Sequence, residues 1–333
     1  MSLKLGILGI DHGHVFGMLS NMLAEGCHAE TYWTDGPAVT ETKFNEVHPG
    51  LQKVEDRRVI LEDPSIDMIL ISAVPEDRAR LAIEAMRAGK DVMVDKPGCT
   101  TLEQLGELRA TQKETGRIWS VNFSERFQVP AVTRAEELVF GGAIGRVVQT
   151  VGLGPHKQNL KTRPPWFFER QRYGGILCDI GSHQIDQFLH FTGSERAEIA
   201  HAHVENTTRP EHPGFQDFGE IVLRSPQGHG YIRVDWFTPD GLPTWGDGRL
   251  FIQGTEGHIE LRKYTDIGHP HVTNTLYLVN GEENVRMDCN DAGLPYFKRL
   301  IADVQDRTET AMKQAHAFTV TELAIRAQML AEA

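Results

Sequence analysis

The sequence contains few cysteines and little positive charge. Its four cysteines, Cys27, Cys99, Cys178 and Cys289, are far apart and form no Cys-x-x-Cys pair. This pattern favours a reducing compartment over a disulfide framework. Acidic residues outnumber basic residues by 46 to 34, which gives a formal net charge of −12. Such a balance argues against a general binder of nucleic acids or anionic membranes, because those proteins need a basic surface.

A long hydrophobic run is also missing. The opening stretch MSLKLGILGI is too short for a membrane span and has no signal-peptide cleavage pattern. We therefore expect a cytoplasmic protein with no membrane partner. The 333 residues are 40% hydrophobic and 24% charged, which is ordinary for a globular chain of about two domains.

The first third of the chain alternates apolar runs with segments of helical spacing. The runs at Lys4–Ile10, Met68–Ala73, Asp91–Val94 and Ile118–Phe123 predict buried strands. Alternation of this kind indicates a parallel sheet with right-handed crossovers. We therefore predict an α/β protein whose first domain covers residues 1–124.

After about residue 125 the pattern changes to successive strand-like runs with turn signals, which indicate a large, mostly antiparallel sheet. We predict a second domain of the α+β class over residues 125–333. Two helices close the chain, and the C-terminal helix can pack back on the first domain. An open sheet of this size needs its exposed face covered, so we also expect a homodimer or homotetramer formed through the second domain.

The first predicted strand leads directly into a turn, GIDHGH, and then into a helix. In dinucleotide-binding domains the amides at such a helix N-terminus bind the pyrophosphate. The G-x-G-x-x-G pattern requires glycine at positions 9, 11 and 14, and only Gly9 fits. Asp11 replaces the glycine that allows close backbone approach, and His14 replaces the packing glycine. Gly13 supplies part of the missing room.

Two further features concern this predicted nucleotide site. Asp35, at the end of the second strand, can bind ribose hydroxyls, and its alternative role is that of a simple turn residue. No Lys or Arg follows it closely, so NAD is favoured over NADP. His12 and His14, with Asp11 beside them, raise a metal hypothesis, but a third neutral ligand would have to come from elsewhere. We predict no metal at this turn, and expect local hydrogen bonding or cofactor contact instead.

The stretch YGGILCDIGSHQIDQ, residues 173–187, carries Asp179, His183 and Asp186 at offsets of four and three. On an α-helix over Leu177–Phe191 these side chains would form one stripe. From spacing alone, a solvated polar face and a functional cluster are equally good interpretations.

The Val94-Asp-Lys-Pro97 segment, together with the pattern GG-x-x-x-D-x-G-x-H-x-x-D at 174–186, resembles the glucose–fructose oxidoreductase / inositol dehydrogenase / MocA family. The resemblance spans nearly the whole chain. It implies a Rossmann domain followed by a domain with a large open sheet. It also implies NAD(P)-dependent hydride transfer at a sugar or polyol hydroxyl.

Residue by residue, the resemblance assigns a catalytic group. Lys96 matches the lysine of the family's Glu-Lys-Pro signature, with Asp95 in place of the glutamate, and Asp179 and His183 match the family's Asp and His. The same resemblance places a second set near the cofactor: Ala73, Pro75, Asp95, Lys96 and Asn122. The stretch Ala73–Asp77 departs from the family's Thr-Pro-Asn pattern.

These residue types suit alcohol oxidation. His183 can act as the general base, since its ordinary pKa is close to working pH. Lys96 can stabilise the developing alkoxide, and Asp179 can hold a substrate hydroxyl or orient the imidazole. Asp186 is expected to be structural. The long loop Gly154–Tyr173 offers three candidates for substrate contact, namely His156, Trp166 and Arg170.

The sequence therefore predicts an NAD-linked dehydrogenase of a sugar, inositol or related polyol. One alternative is an NAD-dependent glycosidase of the same fold. Another is a ligand-sensing homologue without catalytic activity, because the glycine-rich turn is altered.

Overall fold

The computed structural model describes residues 2–269 and 271–333. Strands and helices alternate as far as Asn122. In chain order these elements are β1 (Lys4–Leu8), α1 (His14–Ala24), β2 (His28–Trp33), α2 (Glu41–Val47), β3 (Gln52–Lys53), α3 (Arg58–Leu61), β4 (Met68–Ile71), α4 (Pro75–Arg87), β5 (Asp91–Asp95), α5 (Leu102–Thr115) and β6 (Trp119–Asn122).

The rest of the chain is richer in strands. The elements are α6 (Ser124–Phe127), α7 (Pro130–Phe140), β7 (Val147–Pro155), α8 (Arg170–Tyr173), α9 (Ser182–Thr192), β8 (Glu198–Glu205), β9 (Phe218–Arg224), β10 (His229–Asp235), β11 (Arg249–Gly254), β12 (Gly257–Arg262), β13 (Thr275–Asn280), β14 (Asn284–Asp288), α10 (Pro295–Asp306) and α11 (Gln314–Ala331). Short 3-10 turns occupy Leu160–Thr162 and Pro165–Phe168, and a π-helical turn, Leu177–Gly181, precedes α9.

The first sheet has the strand order β3-β2-β1-β4-β5-β6, and every neighbouring pair is parallel. Each residue of β4 and β5 is buried, as expected for strands covered on both faces. The order reverses between β1 and β4, because the chain runs outward to β3 and then returns beside β1. At such a reversal the carboxyl ends of the strands border a crevice that binds ligands. The predicted Rossmann-like sheet is confirmed.

The second sheet has eight strands in the order β14-β13-β12-β11-β7-β10-β9-β8. All neighbouring pairs are antiparallel except β7 and β10, which are parallel. The exception arises because α9 intervenes between β7 and the antiparallel run β8-β9-β10. Helix α7 covers part of one face, with Val132, Ala135 and Val139 packed in a core that includes Ile252 and Leu278. The predicted large, mostly antiparallel sheet is confirmed.

Two compact units can be distinguished along the chain. The first consists of residues 1–122, 164–174 and 295–321, and the second of residues 123–163, 175–294 and 322–333. Each unit therefore draws on three segments. The single domain boundary between residues 124 and 125 remains a prediction. No helix in the described part of the chain combines the length and apolar character that a membrane crossing requires.

Candidate active site

In the first unit, polar side chains gather around the carboxylate of Asp95, at the end of β5. His14 Nδ1 lies 2.7 Å from Asp95 Oδ1, His12 Nδ1 lies 2.9 Å from Oδ2, and Arg78 Nη2 donates to Oδ2 at 3.0 Å. Burial alone would raise the pKa of this carboxyl, but His14, Arg78 and His12 together hold it well below its ordinary value. Asp95 is therefore a buried, fully engaged anion.

Arg78 connects Asp95 to the backbone around it. The guanidinium is fully buried; its Nε donates to Ala73 O at 2.8 Å, and its Nη1 donates to Lys96 O and, at 3.2 Å, to Pro97 O. The Lys96–Pro97 peptide is cis, and the Lys96 side chain is itself buried. One guanidinium thus fixes the ends of β4 and β5, where the expected cofactor residues lie. Sequence reasoning missed Arg78, because the start of α4 is rich in charged residues and nothing there marks one arginine as buried.

The two turn histidines lie edge to face, with ring centroids 4.4 Å apart. Burial, with a smaller effect from His14, lowers the pKa of His12 to about 4, so its imidazole is neutral at pH 7. His12, His14 and Asp95 offer ligand atoms within 4.8 Å of one another. The Arg78 guanidinium on the same carboxylate opposes a bound cation. We therefore interpret the cluster as a hydrogen-bonded one. The partner of the histidines is Asp95, and not the adjacent Asp11.

The turn between β1 and α1 has some of the features of a dinucleotide-binding turn. Gly9 has φ +78°, and an added Cβ would come within 2.4–2.8 Å of Ala73, so only glycine fits there. An added Cβ at Gly13 would meet nothing within 4 Å. Gly13 is the N-cap of α1, whose first turn has no acidic residue. Open space before a helix N-terminus suits a pyrophosphate group.

Beside this turn is a cavity of about 210 Å³, lined by Asp11, Trp33, Asp35, Ala73, Val74, Asp77, Arg80, Leu81 and Arg172. Burial raises the pKa of Asp11 to about 6. The two arginines are engaged by carboxylates: Arg80 donates to Asp77 at 2.8 Å, and Arg172 to Glu76 at 2.5 Å. The sequence-based argument for NAD considered only the residues that closely follow Asp35 along the chain. Two basic residues from elsewhere, Arg80 of α4 and Arg172 of α8, line the same cavity as Asp35.

In the second unit, Asp179 and His183 lie on a helix that is less regular than expected. Gly174 and Gly175 both have φ +89°, and an added Cβ at Gly175 would come within 2.2 Å of Gln328. The π-helical turn Leu177–Gly181 follows, so Asp179 and His183 are not on one regular α-helix. The simple stripe predicted from offsets of four and three is corrected, since a π turn rotates Asp179 relative to α9. Insertions of this kind are frequent at functional sites.

Asp186 forms a bidentate ion pair with Arg126, with N···O distances of 2.6 and 2.7 Å between two buried side chains. Arg126 also lies 4.3 Å from the ring centroid of Phe127. These contacts give Asp186 the structural role that the sequence reasoning favoured.

A second buried ion pair was missed by sequence reasoning. Lys263 Nζ lies 2.7 Å from Glu125 Oε2, both side chains are almost completely buried, and Gln184 Nε2 donates to the same oxygen at 2.8 Å. Burial would raise the pKa of Glu125, but Lys263, followed by His183 and His156, lowers it to about 2. His183 therefore lies within the field of a buried carboxylate. No signal in the sequence marked this pair, because both Glu125 and Lys263 have charged neighbours along the chain.

The substrate candidates of the long loop fall in different compact units. His156, in the second unit, has its ring centroid 5.4 Å from Trp236 and 4.5 Å from Trp245. Trp166, which is 8% exposed, and Arg170 belong to the first unit. Their joint contact with a substrate stays a prediction, as does the meeting of Lys96 with Asp179 and His183.

Comparisons with known proteins agree with this architecture. Residues 37–123 match the model of an oxidoreductase family with an NAD-binding Rossmann fold, and residues 132–260 match the GFO/IDH/MocA C-terminal domain. The chain is 30% identical to scyllo-inositol 2-dehydrogenase (NAD(+)) of Bacillus subtilis over 67% of its length and 63% of the relative's. It thus spans less than two thirds of the length of this relative. It is also 28% identical to 1,5-anhydro-D-fructose reductase of Ensifer adhaerens, over 85% and 78% of the two chains.

Solved structures extend the likeness over the whole chain. A crystal structure from Erwinia carotovora atroseptica, provisionally assigned as an oxidoreductase, is 42% identical, with a TM-score of 0.96 over 99% of both chains. Levoglucosan dehydrogenase in complex with NADH and levoglucosan has a TM-score of 0.79 over 100% of this chain and 98% of that one, at 18% identity, and so shares the fold. With both domain models matched and both sheets in place, the chain belongs to the GFO/IDH/MocA oxidoreductase family, with an NAD-binding Rossmann domain.

Proposed function

We propose that the protein is an NAD-dependent dehydrogenase that transfers hydride between nicotinamide and a secondary hydroxyl of a sugar, inositol or related polyol. The observation that carries the proposal is the buried Asp95–Arg78 cluster, which fixes the backbone of Lys96 at the carboxyl ends of the parallel strands. The names of the relatives, an inositol dehydrogenase and an anhydrofructose reductase, support a cyclic polyol or sugar substrate.

In the proposed mechanism NAD, when bound, supplies the hydride acceptor. His183 removes the hydroxyl proton as general base, which contributes about 10²–10⁴-fold to the rate. Lys96 stabilises the negative charge that develops on the alcohol oxygen. Asp179 accepts a hydrogen bond from a neighbouring substrate hydroxyl and thereby orients the ring. The buried carboxylate of Glu125, which is paired with Lys263, interacts electrostatically with His183.

We further propose that the cofactor is NAD and that NADP is disfavoured. Three carboxylates, Asp11, Asp35 and Asp77, line the cavity beside the turn, and both arginines there are paired with acidic side chains. An additional 2′-phosphate would face this negative charge, whereas ribose hydroxyls can donate to it. A cytoplasmic homodimer or homotetramer formed through the second sheet completes the proposal.

A coupled test separates the dehydrogenase from its alternatives. Thermal unfolding is measured with NAD, with NADP and with neither, and a panel of inositols and sugars is then screened for NADH absorbance. Cofactor at 100 times its dissociation constant should add about 2.7 kcal/mol of stability. We expect a larger shift with NAD than with NADP, and NADH formation with a cyclic polyol or sugar.

Variants test the assigned residues. Lys96→Ala and His183→Ala should each lower kcat by about 10²-fold or more while the NAD-induced thermal shift persists. Lys113→Ala, on the exposed face of α5, serves as the control. Full turnover in either active-site variant would contradict the catalytic role of the residue replaced. Release of an aglycone without net NADH would favour the glycosidase, and no shift with either nucleotide would favour the sensor.

A further inference from the structure

The second unit contains a cleft of about 810 Å³ beyond the carboxyl ends of β7 and β10. Three segments, 158–162, 208–209 and 236–240, form its walls. Strands β7 and β10 are parallel neighbours whose last residues, Pro155 and Asp235, pair in register, so two of the walls begin side by side. None of the residues assigned above to catalysis lines this cleft.

Hydrogen bonds to the backbone hold each wall in place. Arg163 Nε donates to Gln158 O at 2.7 Å, which fixes the first wall. Buried Asp217 accepts from Thr208 N at 2.7 Å, and Lys157 Nζ donates to Leu242 O at 2.6 Å, just beyond the third wall. The cleft is therefore preformed, which reduces the ordering cost of binding.

Two buried polar atoms in the walls have no hydrogen-bond partner among the residues that the structure describes. Arg209 donates to Gln158 Oε1 through Nε at 3.0 Å and Nη2 at 2.6 Å. Because a guanidinium only donates, this contact fixes the amide orientation and leaves Nε2 as a buried donor without a partner. Thr238 is 9% exposed, and its buried Oγ1 also has no hydrogen-bond partner among the described residues. Buried polar atoms in native structures are normally satisfied, so these two point to a ligand.

The other side chains around the cleft are mixed: Lys161, Arg209 and Asp240 are charged, and Leu160, Trp236 and Phe237 are apolar or aromatic. Phe237 and Leu160 are 43% and 41% exposed, and Trp236, adjacent to Phe237 in the same wall, is 6% exposed. Uncharged hydrogen-bonding groups beside exposed apolar faces suit a neutral sugar, whose hydroxyls pair with the amide and hydroxyl and whose C–H faces pack on the rings.

Arg163 relates this cleft to the proposed catalytic carboxylate. Its guanidinium lies 4.7 Å from the ring centroid of Trp236, and it also interacts electrostatically with Asp179. One side chain therefore packs on a wall of the cleft and also exerts its charge on Asp179. We propose that the cleft binds the second sugar unit of a neutral disaccharide or glycoside, whose first unit carries the reacting hydroxyl and donates a neighbouring hydroxyl to Asp179. The assignment of Asp179 rests on the proposed function.

The experiment measures sugar binding to the full-length protein by calorimetry without nucleotide. The probes are cellobiose, maltose and sucrose, with glucose as the single-unit comparison. At least one disaccharide should bind about tenfold more tightly than glucose, because only a two-unit sugar reaches both sites.

Two nearly isosteric variants test the unpartnered atoms. Gln158→Glu keeps an oxygen facing Arg209 and removes the Nε2 donor, and Thr238→Val removes the hydroxyl with little change in volume. Each should weaken disaccharide binding about 3- to 10-fold and leave glucose binding unchanged. Thr42→Val, at an exposed position of α2 in the first unit, is the matched control. Circular dichroism checks that each variant is folded.

Equal affinity for glucose and all three disaccharides would overturn the proposal. Unchanged disaccharide affinity in both variants would also overturn it, since the two atoms would then be satisfied by water alone. Dissociation of an oligomer by either variant, seen by sedimentation without any change in sugar binding, would assign the cleft to a second copy instead. Because these titrations omit nucleotide, their outcome is independent of whether the dehydrogenase assay succeeds.

Discussion

Around Asp95, four side chains from separate parts of the chain satisfy one carboxylate. Two are the turn histidines, His12 and His14; the others are Arg78 and, at a longer 3.5 Å, Ser72. Glutamate, the residue that the resemblance leads one to expect at this position, has a longer side chain. The histidines of the turn after β1 fill space that glycines would leave open. The shorter aspartate side chain leaves room for these imidazoles.

Arg78 should be the most costly of these residues to lose. Arg78→Met removes a positive charge that pairs with the buried Asp95 carboxylate, and it removes the donors to Ala73 O and Lys96 O. We therefore expect a loss of about 3–5 kcal/mol in the free energy of unfolding. Arg80→Met, at the more exposed neighbour on α4, should cost less than about 1 kcal/mol. Urea denaturation measures both. A loss for Arg78→Met no larger than that for Arg80→Met would contradict the structural role of Arg78.

Titration of Asp11 should make the stability of the protein depend on pH. Its folded-state pKa is raised to about 6 from 3.8, chiefly by burial, so the ionised form destabilises the fold above about pH 6. Asp11→Asn should therefore increase the free energy of unfolding at pH 7, by at most about 3 kcal/mol. The gain should fade as the pH falls through 6 toward 4, because Asp11 itself then becomes neutral.

Denaturation at several pH values tests this expectation. Asp56→Asn is the control, since Arg58 lowers the pKa of Asp56 and removal of that charge should bring no gain at pH 7. A gain for Asp11→Asn that is equal at pH 4 and pH 7 would exclude titration of Asp11 as its cause.

At the residue scale, the sequence predicted what lies within short motifs. Lys96, Asp179 and His183 were proposed as a catalytic group because their neighbours form a recognisable local pattern, and that role stays a prediction. The partner of His14 was not predicted, since Asp95 is 81 positions away. The Glu125–Lys263 pair, 138 positions apart, was missed for the same reason. A side chain's partner depends on tertiary packing, which spacing along one segment does not determine.

At the scale of elements, Gly175, just before the π-helical turn, must be a glycine because Gln328 packs closely against its backbone. The Gly175 carbonyl accepts from Asp179 N at 2.9 Å, and Gln328 Oε1 accepts from Leu177 N at 3.0 Å. A side chain at position 175 would displace Gln328 and so disturb the segment that carries Asp179.

Gly175→Ala should lower the free energy of unfolding by about 2–4 kcal/mol, because alanine is strained at φ +89° and its Cβ overlaps Gln328. Gly106→Ala, on α5 where an added Cβ meets nothing within 4 Å, should instead be stabilising by about 0.5–1 kcal/mol. Chemical denaturation of both variants compares the two sites. Equal effects would show that Gly175 is not constrained by its surroundings.

Periodicity predicted the elements well where they are long and regular. Both the parallel sheet and the larger antiparallel sheet were expected. Helices α4 and α5 end within two residues of Gly89 and Gly116, both of which have positive φ. The π-helical turn and the 3-10 turns were not expected, because their hydrogen bonding responds to contacts such as that with Gln328 and leaves no periodic signature.

At the scale of the whole molecule, the first unit depends on segments far along the chain. Trp119 of β6 stacks on Phe318 with ring centroids 4.8 Å apart, and Arg307 makes a bidentate ion pair with Asp91 at 2.7 and 2.8 Å. All four residues belong to the same compact unit.

A fragment of residues 1–124 should therefore lack a cooperative thermal transition, since it loses the Phe318 ring that stacks on Trp119 and the Arg307 guanidinium that pairs with Asp91. The same fragment joined through a flexible linker to residues 295–321 should recover one. Melting followed by circular dichroism compares the two. Cooperative unfolding of the shorter fragment would show that residues 1–124 fold by themselves, as the simpler linear division predicts.

The chain passes from one unit to the other five times, because six segments alternate between them. Exchange of one continuous stretch of gene between relatives would thus cut through both units at once. Recombination that keeps each unit intact needs crossover points near 122, 163, 174, 294 and 321 together. Inheritance of this scaffold should accordingly favour gradual divergence of the entire gene over the shuffling of its halves.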